Sequence, residues 1–439
     1  MANNTFPRDQ VRGGGDAQLR APETGDLWFD PWLTSHHPAV ETLVASVMSH
    51  YEEVVFPKRL RAPSKREKDA LAAAAQTIAA NLALASLVSP AAPSVAISRQ
   101  AARQKRSRYD SPGISTVHTV LDQLSKTYEG GGALSVRVSR RRGIASTITV
   151  RPALVSAFAC LSERDFTHLP GGEVIWLRWK TRGHFGRINA GVPIDYPETA
   201  ETTRMREELR LVNAQLAACK LTARGAIASG TQGASVLRRF FVTSDPSRFN
   251  FDLGGRLYGG WWQTLPRGDR DGLRIDGEEV VDLDFSNMFL RLAYLHAGKE
   301  APEGDLYGGV RGLAEPRWRE GVKRITASLL CRESALQRLP KGMEGMLPSG
   351  MTGKAVRDAL IERHPALRSS FESGVGLRLM FLESEILVGA LLRLADQGVT
   401  ALPMHDGLMV ARSAENVARA AMAEGCLAVL GRELPIVAK

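Results

Sequence analysis

Hydrophobic residues recur at helical spacing through the first part of the chain. The pattern runs through residues 38–47 and continues in an Ala/Leu-rich segment at 71–87. A repeat of three to four residues is typical of amphipathic helices. Because lysine and arginine are frequent between and after these segments, residues 26–110 are predicted to form a basic helical region. Residues 1–25 contain three successive glycines and scattered charges, which predicts a disordered tail.

The hydrophobic period changes along residues 111–150. Helical spacing from Ile114 to Tyr128 is followed by strand-like alternation at 134–138 and 148–150. Between the two predicted strands lies a basic turn formed by Arg140, Arg141 and Arg142. A helix followed by a hairpin with a basic tip is the layout of a winged helix, in which the helix enters a DNA groove and the tip binds phosphate. An ordinary solvated hairpin has the same pattern. Residues 111–230 are predicted to be this winged-helix-like region and a connecting segment.

Two short apolar runs further along each lie beside an aspartate. Asp284 follows Val280-Val281-Asp282-Leu283, and Asp406 lies between Leu402-Pro403 and Leu408-Met409-Val410. Runs of this length predict buried strands. Two carboxylates at strand ends can share two Mg²⁺ ions, which stabilise the attacking and leaving oxygens of an in-line phosphoryl transfer. Two structural aspartates would give the same pattern, so the flanking residues decide between these interpretations.

Composition limits the class of protein. A length of 439 residues predicts two or three domains, and 44% apolar residues suffice for well-formed cores. A net charge of +10 favours an anionic polymer such as DNA as partner, although a merely basic protein has the same charge. The four cysteines are far apart, which argues against a zinc ribbon or a disulfide framework. With no apolar run of transmembrane length and no signal-peptide form, we expect a cytoplasmic protein without a membrane partner.

Five segments in order carry a family resemblance across residues 248–412. They are Gly255-Arg256-Leu257, Gln263-Thr264-Leu265-Pro266, Asp284-Phe285-Ser286 with Leu290-Arg291, Arg319 with Lys323, and His405-Asp406. This ordered set resembles the palm and fingers of family A DNA polymerases, the class of bacterial DNA polymerase I, and of the related single-subunit phage RNA polymerases. The resemblance implies an α+β fold, with a polymerase-like palm and reduced fingers in residues 235–439 after the helical and winged-helix-like basic region.

The resemblance also implies roles for individual residues. Asp284, Asp406 and the carbonyl of Phe285 would hold two Mg²⁺ ions. Arg319 and Lys323, four apart on one helix face, would bind the triphosphate of the incoming nucleoside triphosphate, with Lys323 assisting catalysis. The residues implied to contact the primer are Arg256, Gln263 and His405.

The chain departs from the family at several positions. Ala327 and Cys331 replace aromatic residues of the fingers helix, and Gly407 replaces the glutamate that usually follows the second metal-binding aspartate. Phe289 takes the position where DNA polymerases usually have a glutamate that excludes ribonucleotides, so it is a nucleotide-binding candidate. Glu383 and Glu385 stand where the family has a polar minor-groove contact; two carboxylates there suit a metal or a structural partner better than a phosphate strand.

The prediction from the sequence is a template-directed, two-metal-ion nucleotidyltransferase of the DNA polymerase type. Its expected partners are template and primer DNA and nucleoside triphosphates, and its expected setting is the replication of a mobile element, phage or plasmid. Two alternatives stay open: a single-subunit RNA polymerase or primase-like enzyme, and a non-catalytic DNA-binding replication or regulatory factor on a decayed palm.

Overall fold

The structure, a computed structural model, describes residues 27–97, 107–127, 134–139, 145–162, 165–169, 171–180, 191–223, 236–265, 267–340 and 342–439. The helices in this part of the chain are α1 Pro38–His50, α2 Lys65–Val88, α3 Val117–Thr127, α4 Pro152–Ala157, α5 Ala200–Ala218, α6 Arg267–Arg270, α7 Met288–His296, α8 Arg319–Cys331, α9 Gly353–Arg363, α10 Gly376–Asp396 and α11 Glu415–Leu430. The strands are β1 Leu27–Trp28, β2 Leu33–Thr34, β3 Ser94–Ile97, β4 Leu134–Arg137, β5 Ser146–Val150, β6 Thr167–His168, β7 Ile175–Trp179, β8 Val192–Pro193, β9 Leu221–Thr222, β10 Arg238–Thr243, β11 Gly254–Tyr258, β12 Arg274–Ile275, β13 Glu278–Phe285, β14 Ala401–Pro403, β15 Gly407–Ala411 and β16 Ile436–Ala438. The mixed α+β class predicted from the sequence is confirmed.

The chain divides into two compact units. The first contains Met1–Thr199, Ala217–Arg238 and Tyr258–Gly277, and the second contains Ala200–Leu216, Arg239–Leu257 and Glu278–Lys439.

The core of the first unit forms around α2. Ser64 begins this helix with a capping box, in which its hydroxyl accepts from the Glu67 N–H and the Glu67 carboxylate accepts from the Ser64 N–H. Along the helix, alanine and leucine side chains are buried against α1, α3 and a four-stranded sheet of order β1-β3-β5-β4. Only β1 and β3 run parallel in that sheet.

Helix α2 corrects one expectation from the sequence. In the described part of the chain it is the one helix long and apolar enough to cross a membrane, with a mean hydropathy of 1.7 over its most apolar window. The expectation that no apolar run has that length was therefore wrong. Two thirds of the window is buried inside the protein. A core helix of a folded domain also has this length and hydropathy, and it is mostly buried in the same way.

The predicted helix and hairpin of residues 111–150 are present as α3, β4 and β5, and Pro152 opens α4 as expected. However, β5 also pairs with β3. The hairpin is thus part of a larger sheet, and a winged helix is not shown. The predicted tip residues Arg140, Arg141 and Arg142 lie outside the described residues.

The second unit is built around an antiparallel sheet with β13 at its centre. Strand β13 pairs with β15 on one side and with β16 on the other, and β15 pairs in turn with β14. Helices α10 and α11 pack closely because residue 425 is glycine. A Cβ on Gly425 would lie only 2.8 Å from the carbonyl oxygen of Ile386 and would collide with it. The core includes Leu283, Leu290 and Leu402, all fully buried.

His364 joins three segments of this unit. Its Nε2–H donates to the Leu306 carbonyl at 3.0 Å, and its Nδ1 accepts from the Tyr294 hydroxyl at 2.9 Å. The side chain is fully buried, and burial lowers the pKa of His364 to about 4.

The buried neutral histidine predicts acid sensitivity of the second unit. The unfolded chain takes up the proton at the ordinary pKa of about 6.5, so this contribution to stability is complete above that pH and is lost as the pH falls toward 4. Between pH 7.5 and pH 5 the free energy of unfolding should fall by about 2 kcal/mol through His364 alone. Urea titrations at both pH values measure it. The fall in the free energy of unfolding should be smaller by that amount in His364→Gln. It should be unchanged in the control His296→Gln, which replaces an exposed histidine. Equal falls in wild type and His364→Gln would contradict the prediction.

Candidate active site

Strand register brings the two predicted metal-binding aspartates together. Asp284 lies opposite Gly407 in the β13–β15 ladder, and the N–H of Phe285 donates to the carbonyl of Asp406 at 3.2 Å. The turn between β14 and β15 therefore holds Asp406 beside the end of β13. After β13 the chain turns through Asn287, whose left-handed backbone has φ 53°, and enters α7.

Position 407 has a packing reason to be glycine. A Cβ at this position would collide with the Leu283 carbonyl and lie 2.9 Å from the Cα of Asp284. Real Cβ atoms essentially never approach that closely. Glycine thus permits β15 to lie directly against β13 where the two aspartates meet.

The pKa values of the two carboxylates are shifted in opposite directions. Burial, and then the negative charge of Asp406, raise the pKa of Asp284 above its ordinary value. Burial alone would raise the pKa of Asp406 too, but the positive charges of Lys323 and Lys439 hold it below its ordinary value. Lys323, predicted from its helix position, therefore acts on the site from α8.

The pair suits a hard divalent cation. The Oδ1 atom of Asp284 is inaccessible to solvent and accepts no hydrogen bond from the described residues. Carboxylate oxygens are the donors that Mg²⁺ prefers, so the two residues fit the ion that the sequence predicts. The structure describes no group of three or more His, Cys, Asp or Glu side chains able to hold a metal. The carbonyl of Phe285, which follows Asp284 in β13, stays the predicted further ligand.

Lys439 is a residue of this site that the sequence did not indicate. Its Nζ makes an ion pair with Oδ2 of Asp284. The opposite charges of Asp284, Asp406 and Asp282 raise the pKa of Lys439, against the lowering effect of burial.

Arg319 is held by an acidic partner that precedes its helix. Its guanidinium makes two hydrogen bonds with the Asp305 carboxylate, at 2.7 and 2.8 Å, and lies 5.4 Å from the ring centroid of Tyr307. Tyr307 is buried, and burial followed by the charge of Asp406 raises its pKa. The charges of Asp406 and Arg319 therefore both act on Tyr307. No sequence motif pointed to Asp305 or Tyr307.

Arg256 and the two glutamates of α10 form a buried ionic network. Arg256 donates to both carboxylate oxygens of Glu383, at 2.6 and 3.0 Å. Arg239, 2% exposed, donates beside it to Glu385 at 2.6 Å and to Ser384 at 2.8 Å. Both glutamates thus have structural partners, which was one of the two roles considered for them. The predicted contact of Arg256 with primer stays a prediction.

Breaking this network should cost much of the stability of the second unit. Glu383 is 1% exposed, and burial raises its pKa to about 7 against the lowering effect of Arg256. Glu383→Ala removes the carboxylate that accepts two hydrogen bonds from the Arg256 guanidinium in a largely buried place, so we expect a loss of about 3 kcal/mol in the free energy of unfolding. The Arg256→Met, Glu383→Met double variant should lose much less, because the guanidinium is removed together with its carboxylate partner.

Urea denaturation compares these variants with a matched surface pair. A guanidinium nitrogen of Arg432 lies 2.7 Å from a carboxylate oxygen of Glu300, a distance close to that of the buried pair. The side chains of Arg432 and Glu300 are 45% and 78% exposed. Glu300→Ala should cause no measurable loss. A Glu383→Ala variant as stable as Glu300→Ala would show that the buried pair does not stabilise the fold.

The remaining predicted residues are placed as follows. Phe289 is half-buried on α7, with the Arg256 guanidinium 5.9 Å from its ring centroid. His405 is half-buried beside Asp406, and its charge is among those that lower the pKa of Asp406. Gln263 belongs to the first unit, where its side chain accepts from the Gly260 N–H at 3.3 Å.

Comparison with known proteins shows a distant structural likeness. No protein-family model and no curated protein matches the sequence. Among solved structures, the chain is similar to the POL domain of Pol1 from M. smegmatis in complex with DNA primer-template and dNTP. The identity is 14% and the TM-score 0.32, and the match covers 54% of this chain and 50% of that one. At this TM-score the likeness has no weight in assigning a function, so the assignment depends on the site itself.

Proposed function

We propose that this protein is a template-directed nucleotidyltransferase of the DNA polymerase type. The observation that carries the proposal is the register of β13 and β15, which places Asp284 and Asp406 together from segments far apart in the sequence. The charge of Lys323 acts on both carboxylates. Paired carboxylates with a cationic helix beside them are the parts that phosphoryl transfer requires.

The reaction forms one bond and breaks another at phosphorus. The oxygen of a primer 3′-hydroxyl attacks the α-phosphorus of a nucleoside triphosphate, and the hydroxyl proton passes to solvent. Pyrophosphate departs with the electrons of the broken bond between the α-phosphorus and its bridging oxygen. Bound Mg²⁺ would neutralise charge on the attacking and leaving oxygens. Asp284 and Asp406 would supply its ligands. Lys323 and Arg319 offer fixed positive charge to the triphosphate, where negative charge grows as pyrophosphate leaves.

Asp305 gives Arg319 a defined orientation for this role. A guanidinium already held by two hydrogen bonds loses less side-chain entropy when it binds phosphate than a free one does. The Asp305 carboxylate would also compete with the phosphate, because both would accept hydrogen bonds from the same N–H groups of Arg319.

Primer extension with Mg²⁺ tests the proposal. We expect the protein to extend a labelled DNA primer on a DNA template when dNTPs are supplied. Incorporation of NTPs in place of dNTPs would favour the single-subunit RNA polymerase alternative, because Phe289 replaces the usual sugar-discriminating glutamate. Absence of incorporation with either, in a protein that still binds primer-template, would support the non-catalytic factor.

The basic segments of the first unit are proposed to bind DNA. Arg140, Arg141 and Arg142 follow β4 in the sequence, at the turn of the predicted wing. Changing all three to alanine should weaken binding and reduce the slope of log K against log salt by roughly 0.9 for each phosphate that the variant no longer binds. Binding titrations at several salt concentrations measure it. An unchanged slope would mean that this turn is an ordinary solvated hairpin.

The cellular setting is proposed on the same basis. A small polymerase with a basic DNA-binding region suits the replication of a mobile element, phage or plasmid in the cytoplasm. Expression of the active and Asp406→Asn forms with such an element, followed by measurement of its copy number, tests this; equal copy numbers would contradict it.

A further inference from the structure

Strand pairing places Lys439 over the two aspartates of β13. Val437 lies opposite Asp284 and Ala438 opposite Leu283, and the N–H of Lys439 donates to the Asp282 carbonyl at 2.9 Å. Lys439 thus continues the register opposite Asp282 and is diagonal to Asp284. Long side chains reach such diagonal neighbours on one face of an antiparallel pair. The ion pair between Lys439 and Asp284 is therefore built into the sheet.

The two oxygens of the Asp284 carboxylate have different contacts. Oδ2 contacts the ammonium, whereas Oδ1 accepts no hydrogen bond from the described residues. The Lys439 side chain is 36% exposed and the Asp284 side chain 9%. The lysine can therefore swing toward solvent, but the carboxylate has no such freedom.

An ammonium and a divalent cation compete for the same carboxylate oxygens. A cation that binds both oxygens of Asp284 would have to replace the Lys439 ammonium at Oδ2. It must also enter a site that already has the positive charge of Lys323 nearby. The competing ammonium and the nearby charge of Lys323 both weaken cation binding. The competition lasts only as long as Lys439 stays in place.

We propose that Lys439 is a positioning residue that occupies a cation position at the Asp284–Asp406 pair and sets the affinity of the site for divalent ions. The ammonium holds Asp284 in place without a metal and is displaced when a divalent ion binds. This inference rests on the proposed function only in taking Asp284 and Asp406 as the metal-binding pair.

Titration of the full chain with Mn²⁺ tests the proposal. The electron paramagnetic resonance signal of the free ion measures how much Mn²⁺ is bound. Lys439→Met keeps the length of the side chain and removes its charge, so it should bind Mn²⁺ at least about tenfold more tightly than wild type, equivalent to about 1.4 kcal/mol. Lys439→Arg keeps the charge and should stay close to wild type. Lys299→Met, which changes an exposed lysine of the same unit, is the matched control and should also stay close to wild type.

The gain must depend on Asp284. In the Asp284→Asn, Lys439→Met double variant the tighter binding should be lost. Equal Mn²⁺ affinity in wild type and Lys439→Met would overturn the proposal. An equal gain in Lys299→Met would also overturn it, because the effect would then come from net charge alone.

Primer extension separates this inference from the proposed function. If none of the variants extends a primer while Lys439→Met still binds Mn²⁺ tenfold more tightly, the polymerase assignment fails and the role of Lys439 is upheld. If primer extension is intact and the Mn²⁺ affinities are equal, the role of Lys439 fails alone.

Discussion

Asp284→Asn and Asp406→Asn are each expected to abolish nucleotide incorporation while leaving DNA binding largely intact. Each substitution removes one of the two negative charges that strand pairing places together. Charge stabilisation at a metal centre contributes several kcal/mol to the transition state, so each variant should lose at least about a thousandfold in rate. Single-turnover primer extension at saturating primer-template measures the loss.

A matched control separates this effect from a general loss of charge. Asp396→Asn changes an exposed carboxylate at the end of α10 and should keep wild-type incorporation. Circular dichroism should show that all three variants are folded, because asparagine has nearly the volume of aspartate. Incorporation within about tenfold of wild type, a difference of only about 1.4 kcal/mol, in either active-site variant would remove the metal-binding assignment.

Lys323→Ala is expected to lower kcat and raise the KM for nucleotide together. Lys323 lies on α8, and its charge reaches Asp284, Asp406 and Glu383. A cation that binds the triphosphate in both the ground state and the transition state contributes to both constants. We expect a loss of about a hundredfold in kcat/KM, or about 2.7 kcal/mol.

Steady-state kinetics with varied nucleotide provide the measurement, and Lys323→Arg should recover part of the loss because it keeps the charge. Lys354→Ala removes an exposed lysine from α9 and should leave both constants unchanged. Wild-type kcat and KM in Lys323→Ala would exclude α8 from the site.

Local pattern was enough to predict the elements that carry the site. The apolar runs around the two aspartates are strands, as predicted, within β13, β14 and β15. The four-residue spacing of Arg319 and Lys323 is helical, as predicted, within α8. These predictions succeed because hydrophobic period and helical spacing are properties of short segments.

Partners distant in sequence could not be predicted in this way. Arg256 and Glu383 are 127 residues apart. The sequence suggested DNA as the partner of Arg256, and for Glu383 a metal or a structural partner that it did not identify. Asp305 and Tyr307 likewise have no local pattern that ties them to Arg319. Which charges neutralise one another depends on which strands and helices become neighbours, and a charged side chain near the core must find such a partner because burial without one is costly.

The sequence by itself determined the α+β class, the strand and helix positions of the candidate residues, and the resemblance to polymerase motifs. Only the tertiary structure decided that Gly407 admits β15 against Asp284, that the α10 glutamates bind arginines, and that Lys439 contacts Asp284. The physical reason is that periodicity arises from neighbours along the chain. Strand register and close backbone approach arise instead from packing of segments that meet only when the chain has folded.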